Sequence, residues 1–226
     1  MLKTTFLGLL LTVSFILTLQ AKKSQPSKTK TVQIVMLGDS LTEGLGVEAH
    51  EAYPALVQSR FDQSRVKVKI INAGVSGSTS SSAFRRLKWY KRIKPEILFL
   101  ALGANDGLRG QPTEKLFQNL QRAVVYAKEQ GMKVILAGTR LPPNLGKKYI
   151  QDYVGVFPRL AKEHNLPLLP FLLDQVGGEI ELNQADGIHP NVEGHKKIAE
   201  GVYSILKETL EGQSQSNQAR VSGTTE

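Results

Sequence analysis

The sequence predicts a three-layer α/β/α doubly wound domain on a five-stranded parallel sheet. Two observations predict it. Short apolar runs alternate along the chain with longer stretches of helical period. Groups suited to chemistry then fall directly after the short runs, where a doubly wound sheet has its ligand crevice. Alternation of this kind needs crossover connections, which join parallel strands and cover both faces of a sheet.

The elements follow in order. Val32 to Leu37 is an apolar run stopped by Gly38, a buried-strand signal. A helix is expected from Tyr53 to Asp62 and a second strand from Val66 to Ile71. Thr79 to Ile93 reads as a helix, and Glu96 to Leu102 as a third strand closed by Gly103. Thr113 to Gln130 is a long helix stopped by Gly131. Lys133 to Ala137 is the fourth strand. Lys148 to His164 is a helix with Pro158 as a possible kink point. Leu166 to Leu172 is the fifth strand, and Asn191 to Leu210 the last helix.

The ends of the chain lie outside this pattern. Lys3, an apolar run from Thr5 to Leu19, and Gln20-Ala21 have the shape of a secretory signal over residues 1–21. The run is shorter than the roughly 20 apolar residues of a membrane span. Export to the periplasm or outside the cell is therefore expected, with an uncleaved anchor through residues 5–19 as the alternative. Residues 22–30 read as a polar linker, 31–211 as the domain, and 212–226, rich in Ser, Gln, Gly and Thr, as a disordered tail.

The chain has 226 residues and no cysteine, so disulfides, thiolate metal sites and cysteine nucleophiles are excluded. Its formal net charge is +9. Six of the cations fall within Arg85–Lys94, beside Trp89 and Tyr90. A solvated helix face is the plain reading of that run; peripheral contact with an anionic membrane is the functional one. No nucleic-acid partner is expected, and the protein is expected to be a monomer.

Four blocks carry the candidate chemistry. Gly38-Asp39-Ser40 follows the first strand and exposes a hydroxyl at a strand-to-helix turn. Asn72-Ala73-Gly74-Val75-Ser76-Gly77 follows the second, with glycines that let backbone N–H groups approach a ligand. Asn105 follows the third and offers a neutral amide donor. Asp186-Gly187-Ile188-His189-Pro190 precedes the last helix, with Pro190 suited to its first turn. An Asp three positions before a His can orient the ring so that its other nitrogen accepts a serine proton. Taken singly, each block is also an ordinary cap or turn.

In this order the four blocks resemble the SGNH, or GDSL, hydrolase family over residues 32 to 210. Val75-Ser76-Gly77-x-Thr79, Asn105-Asp106-Gly107-Leu108-Arg109-Gly110 and Arg140-Leu141-Pro142-Pro143-Asn144 are similar to its bacterial thioesterase I, lysophospholipase L1 and arylesterase branch. The resemblance implies a flavodoxin-like strand order. It also implies Ser40 as nucleophile, His189 as base and Asp186 as its orienting acid. The oxyanion donors implied are the amides of Ser40 and Gly77 and the side chain of Asn105. Leu108, Arg140, Leu141, Pro142 and Ile188 are expected to line the substrate site, with no cofactor and no metal. Ala104 departs from the family, where a second glycine is frequent, and a methyl there is expected to crowd the turn. Asp39 and Asp106 are expected to brace loops, and His50, His164 and His195 to be surface or structural residues.

The activity implied is hydrolysis of a small-molecule or lipid ester, or a thioester, through an acyl-enzyme. A carbohydrate O-deacetylase on the same scaffold and a non-catalytic binding protein are the alternatives. Aromatic residues around the mouth would favour the first of these.

Overall fold

Alternating side chains decide where each strand goes. In the strand β1 (Val32–Gly38), Val35 and Leu37 join one apolar layer while Ile34 and Met36 join another. All four are fully buried, so β1 must be central. The computed structural model describes residues 31–222, with side chains to residue 212. Around β1 stand β2 (Val68–Gly74), β3 (Ile97–Ala101), β4 (Lys133–Ala137) and β5 (Leu168–Leu169). They form one parallel sheet in the order β2-β1-β3-β4-β5. The order reverses direction between β1 and β3, which opens a crevice at their carboxyl ends.

The helices α1 (Ser40–Glu43), α2 (Tyr53–Asp62), α3 (Ala83–Tyr90), α4 (Ala104–Leu108), α5 (Thr113–Glu129), α6 (Lys147–His164) and α7 (Val192–Ser222) complete the layers. Residues of α3, α5 and α6 pack on the Val35 and Leu37 face of the sheet. Residues of α2 and α7 pack on the Ile34 and Met36 face. The expected three-layer α/β/α architecture and strand order are both present.

Several boundaries differ from expectation, each for a local reason. β2 starts later and runs on to Gly74, because Asn72, Ala73 and Gly74 pair in register with Met36, Leu37 and Gly38. β5 is two residues rather than seven. It lies at the sheet edge between Pro167 and Pro170, which have no N–H to donate. The Thr79–Ile93 helix opens and closes as 3₁₀ turns, at Ser80–Ser82 and Lys91–Ile93. Its opening is held from outside by Asp106, which accepts the Ser80 amide at 2.8 Å. Pro158 leaves α6 continuous as one element; it is solvent-exposed, where water can serve the carbonyl it orphans. The last helix does not end at Leu210 but continues to Ser222, so the segment expected as a disordered tail begins with helical backbone. Extending a formed helix costs far less than starting one. The expected signal or anchor and the linker lie outside the described residues. No helix among the described residues is long and apolar enough to cross a membrane.

A buried polar chain ties α1, α2 and α7 together. Tyr53, fully buried, bonds through its hydroxyl to Thr42 Oγ1 at 2.8 Å. Its amide donates to His195 Nδ1 at 3.3 Å, and the two rings stack with centroids 6.3 Å apart. Burial pushes the His195 imidazole down to about 4 from its usual 6.5. Between those two values the unfolded chain binds a proton that the folded chain refuses, so stability falls as pH drops from 6.5 toward 4. The contribution reaches about 3 kcal/mol at most. His195→Asn keeps an acceptor near the Tyr53 amide and removes the titration. Urea midpoints measured across that window should decline less steeply for the variant than for the wild type.

Candidate active site

Ser40 begins α1, two residues beyond the end of β1. Asp39 caps that helix, accepting the Leu41 amide at 3.1 Å. Asp39 is 2% exposed, and burial pushes its carboxyl up to about 6 against the pull of the Leu41 amide, its own amide, His189 and Arg86. The end of β2 presses against the same turn. A Cβ on Gly74 would lie 2.0 Å from the Glu43 amide nitrogen, so only glycine lets that strand approach the nucleophile helix.

The Asp186–His189 loop meets this turn across the sheet's end. Ser40 Oγ lies 3.0 Å from His189 Nε2, and His189 Nδ1 lies 2.6 Å from Asp186 Oδ2. Asp186 Oδ1 meanwhile accepts the amides of Ile188 at 2.9 Å and His189 at 3.0 Å. The His189 amide is the largest influence on Asp186, followed by the imidazole and the Ile188 amide. Together they hold its carboxyl down at about 2. Its pairing is thus fully present above the ordinary carboxylate value near 4 and is lost only as pH falls through about 2.

Side chains that the sequence does not mark hold these loops in register. Gln184 Nε2 donates to Leu45 O at 2.7 Å and to Pro190 O at 2.9 Å, bridging the loop after α1 to the histidine loop. Glu43 Oε2 accepts the Ser76 amide at 2.6 Å and the Ser76 hydroxyl, tying α1 to the loop that carries Gly77. Arg86 corrects the reading of the basic run as a solvated face. Its guanidinium is half-buried and donates to Gly38 O at 2.9 Å and to Ala73 O, bracing the ends of β1 and β2. The Gly38 carbonyl also accepts the Val75 amide at 3.2 Å, so Arg86 adds a second bond at the finish of the paired strands.

Gly77 has φ +73°, a left-handed conformation suited to glycine, and its carbonyl accepts Arg109 Nη2 at 3.1 Å. Asn105 Nδ2 donates one hydrogen to Ser78 O at 3.1 Å, leaving the other. Among the described residues the amides of Ser40 and Gly77 meet no acceptor. Asp106 braces as expected: beyond the Ser80 amide, it accepts the Ser80 hydroxyl at 2.5 Å. Ala104 does not crowd its turn. Gly103, at φ +135°, takes the strained position, and Ala104 starts α4 with its side facing the cavity.

That cavity holds about 520 Å³. Ser40, His189 and Asn105 open onto it, as do all five expected substrate residues, Leu108, Arg140, Leu141, Pro142 and Ile188. Pro143 of the Arg140–Asn144 motif, and Phe171 and Leu173, which sequence reasoning did not single out, extend its apolar wall. Gly77 is outside this lining set, at the other side of Asn105. Among the described residues no group of three or more His, Asp and Glu side chains is arranged to hold a metal.

The Gln184 side chain bonds to neither the Ser40 hydroxyl nor the His189 ring, yet with its amide donating to His189 O at 2.7 Å it spans their loops. Gln184→Ala should lower kcat about fivefold through misalignment of Ser40 and His189, since about 1 kcal/mol of hydrogen bonding is lost. Thermal melting beside steady-state kinetics will check that kcat falls far more than Tm predicts.

Known proteins are similar to this chain in sequence and fold. The GDSL-like Lipase/Acylhydrolase family model matches residues 36–197. The chain is 36% identical over 178 residues to Esterase TesA of Pseudomonas aeruginosa, covering 78% of this chain and 89% of that protein. It is 36% identical over 175 residues to Thioesterase 1/protease 1/lysophospholipase L1 of Escherichia coli strain K12, covering 77% and 83%. Among solved structures, the psychrotrophic esterase EstA from Pseudoalteromonas sp., inhibited by monoethylphosphonate, superposes with a TM-score of 0.76 at 32% identity, covering 79% and 98%. With family model, relatives and fold in agreement, the chain belongs to the GDSL-like lipase/acylhydrolase family and is an ester-hydrolysing enzyme.

Proposed function

We propose that Ser40 is the nucleophile of a lipid-type esterase, with His189 as general base and Asp186 as its orienting acid. The observation that carries this is the unbroken chain of contacts from Ser40 Oγ through His189 to Asp186, at 3.0 and 2.6 Å, at the floor of an apolar cavity. His189 Nε2 takes the Ser40 proton as Oγ bonds to the carbonyl carbon. The carbonyl oxygen gains the negative charge and is met by the amides of Ser40 and Gly77 and by the free hydrogen of Asn105. His189 returns its proton to the leaving oxygen or sulfur, and water then releases the acid by the same steps. Free amides at Ser40 and Gly77 support this assignment. Anionic Asp186, held well below neutral pKa, stabilises the imidazolium that forms.

The walls support a lipid-type ester as substrate. Leu108 and Ile188, exposed large apolar residues, stand at the mouth, with Leu141 and Pro142 beside them. Arg140 is the cationic group of the lining, and its guanidinium lies 4.7 Å over the Phe171 ring. That stacking holds it ready for an anionic head group. Phe171 is also the lone Phe, Tyr or Trp of the lining and is covered by Arg140, which weighs against a sugar-stacking site. Residues 1–21 support export, which would separate the enzyme from cytosolic acyl thioesters and leave lysolipids or imported esters within reach.

Ser40→Ala should abolish labelling by a serine-reactive phosphonate, and Asn105→Ala should retain labelling but lose on the order of a hundredfold in kcat on p-nitrophenyl butyrate. Wild-type turnover in either variant removes that residue from the mechanism. Asp186→Asn should cost on the order of a thousandfold or more in kcat at neutral pH, because an amide cannot fix the tautomer. Arg140→Gln should lower kcat/KM at least about tenfold for lysophosphatidylglycerol and leave a neutral monoacylglycerol nearly unchanged. Equal loss on both lipids would show that Arg140 shapes the cavity without reading charge.

A further inference from the structure

The basic run of α3 has a face that the active site does not use. Arg86 and Leu87 turn inward, to the strand ends and the core respectively. Arg85, Lys88, Trp89 and Arg92 are spaced i, i+3, i+4 and i+7, so they form one outward stripe. All four are exposed, and Trp89 is 61% exposed, a large indole on the surface. Arg92 stacks over it at 4.7 Å, and Lys91 and Lys94 continue the positive edge. None of these five cations is engaged in an ion pair among the described residues. A stripe of cations free of ion pairs around an exposed indole matches a lipid interface, where Trp sits at head-group depth and each Lys or Arg contributes about 1 kcal/mol against anionic lipid.

Its position in the fold strengthens the match. Lys91 and Lys94 share a surface concavity with Thr31, where the chain enters the described domain. The nine residues before it include Lys22, Lys23, Lys28 and Lys30, and the apolar run 5–19 lies beyond. We propose that the α3 stripe docks the domain on an anionic phospholipid surface, with Trp89 at the head-group level and the cations around it. The proposal does not rest on the ester chemistry assigned above.

Trp89 is the single tryptophan of the chain, so its emission reports this face alone. Full-length protein would be titrated with vesicles of equal parts phosphatidylglycerol and phosphatidylcholine, and with phosphatidylcholine vesicles. The expected result is a shift of emission to shorter wavelength, with quenching by brominated acyl chains, on the anionic vesicles only. Both effects should vanish in ~0.5 M NaCl, where screening shortens to a few ångströms. Lys88→Glu/Arg92→Glu should weaken vesicle affinity at least about tenfold. The same variant should hydrolyse p-nitrophenyl butyrate at the wild-type rate, which separates a failed surface from a failed enzyme. Unchanged Trp89 emission on anionic vesicles would overturn the proposal. So would wild-type affinity in the double variant, or an equal response to a single-stranded oligonucleotide without bromolipid quenching.

Discussion

The bond between Ser40 Oγ and His189 Nε2 joins positions 149 apart in the chain, and the architecture serves to close it. By itself such a bond contributes about 1 kcal/mol net, too little to draw two loops together. Burial sets the distance instead. β1 delivers Ser40, and α7 begins just after His189. Both elements lock into one apolar layer: Ile34 and Met36 of β1, Tyr53 and Val57 of α2, Ile198 and Val202 of α7. Each such side chain brings on the order of 2 kcal/mol of apolar burial. The reacting pair therefore inherits its geometry from the core behind it.

The two aspartates near the nucleophile show how environment divides labour between identical groups. Asp39 is buried and capped by one helix-start amide, and desolvation dominates it. Asp186 is exposed but receives two amides and an imidazole, and hydrogen bonding dominates it. Asp186 is the one held anionic far below neutral pH, and it is the one that faces the His189 ring.

What could be read from the sequence, and what could not, follows the same division between buried and local forces. β1, β3 and β4 were legible because strands covered on both faces must be continuously apolar. β5 was misjudged because an apolar run between two prolines lacks the donors a strand needs. Ser40, Asn105, Asp186 and His189 stood out because their blocks, each an ordinary cap or turn alone, fall together in the order of a known family. Gln184, Glu43 and Arg86 did not. Gln184 and Arg86 reach across to carbonyls, and Glu43 to an amide and hydroxyl. A backbone partner leaves no mark in the residue string. Arg86 was further hidden among five like-charged neighbours, where only the helical phase separates the inward side chain from the outward ones.

The polarity of β1 has a further consequence. Thr31 lies at one end of that strand and Ser40 just past the other, about 20 Å apart. A domain docked by the proposed α3 stripe, near Thr31, would hold the Ser40 end of β1 away from the surface. Ester molecules would then arrive by free diffusion, not from the leaflet beneath. Turnover should follow the concentration of dispersed monomers and level off near their solubility limit. Diluting a lipid within the plane of a bilayer would leave the rate untouched, in contrast to an interfacial lipase that grazes on the film it occupies.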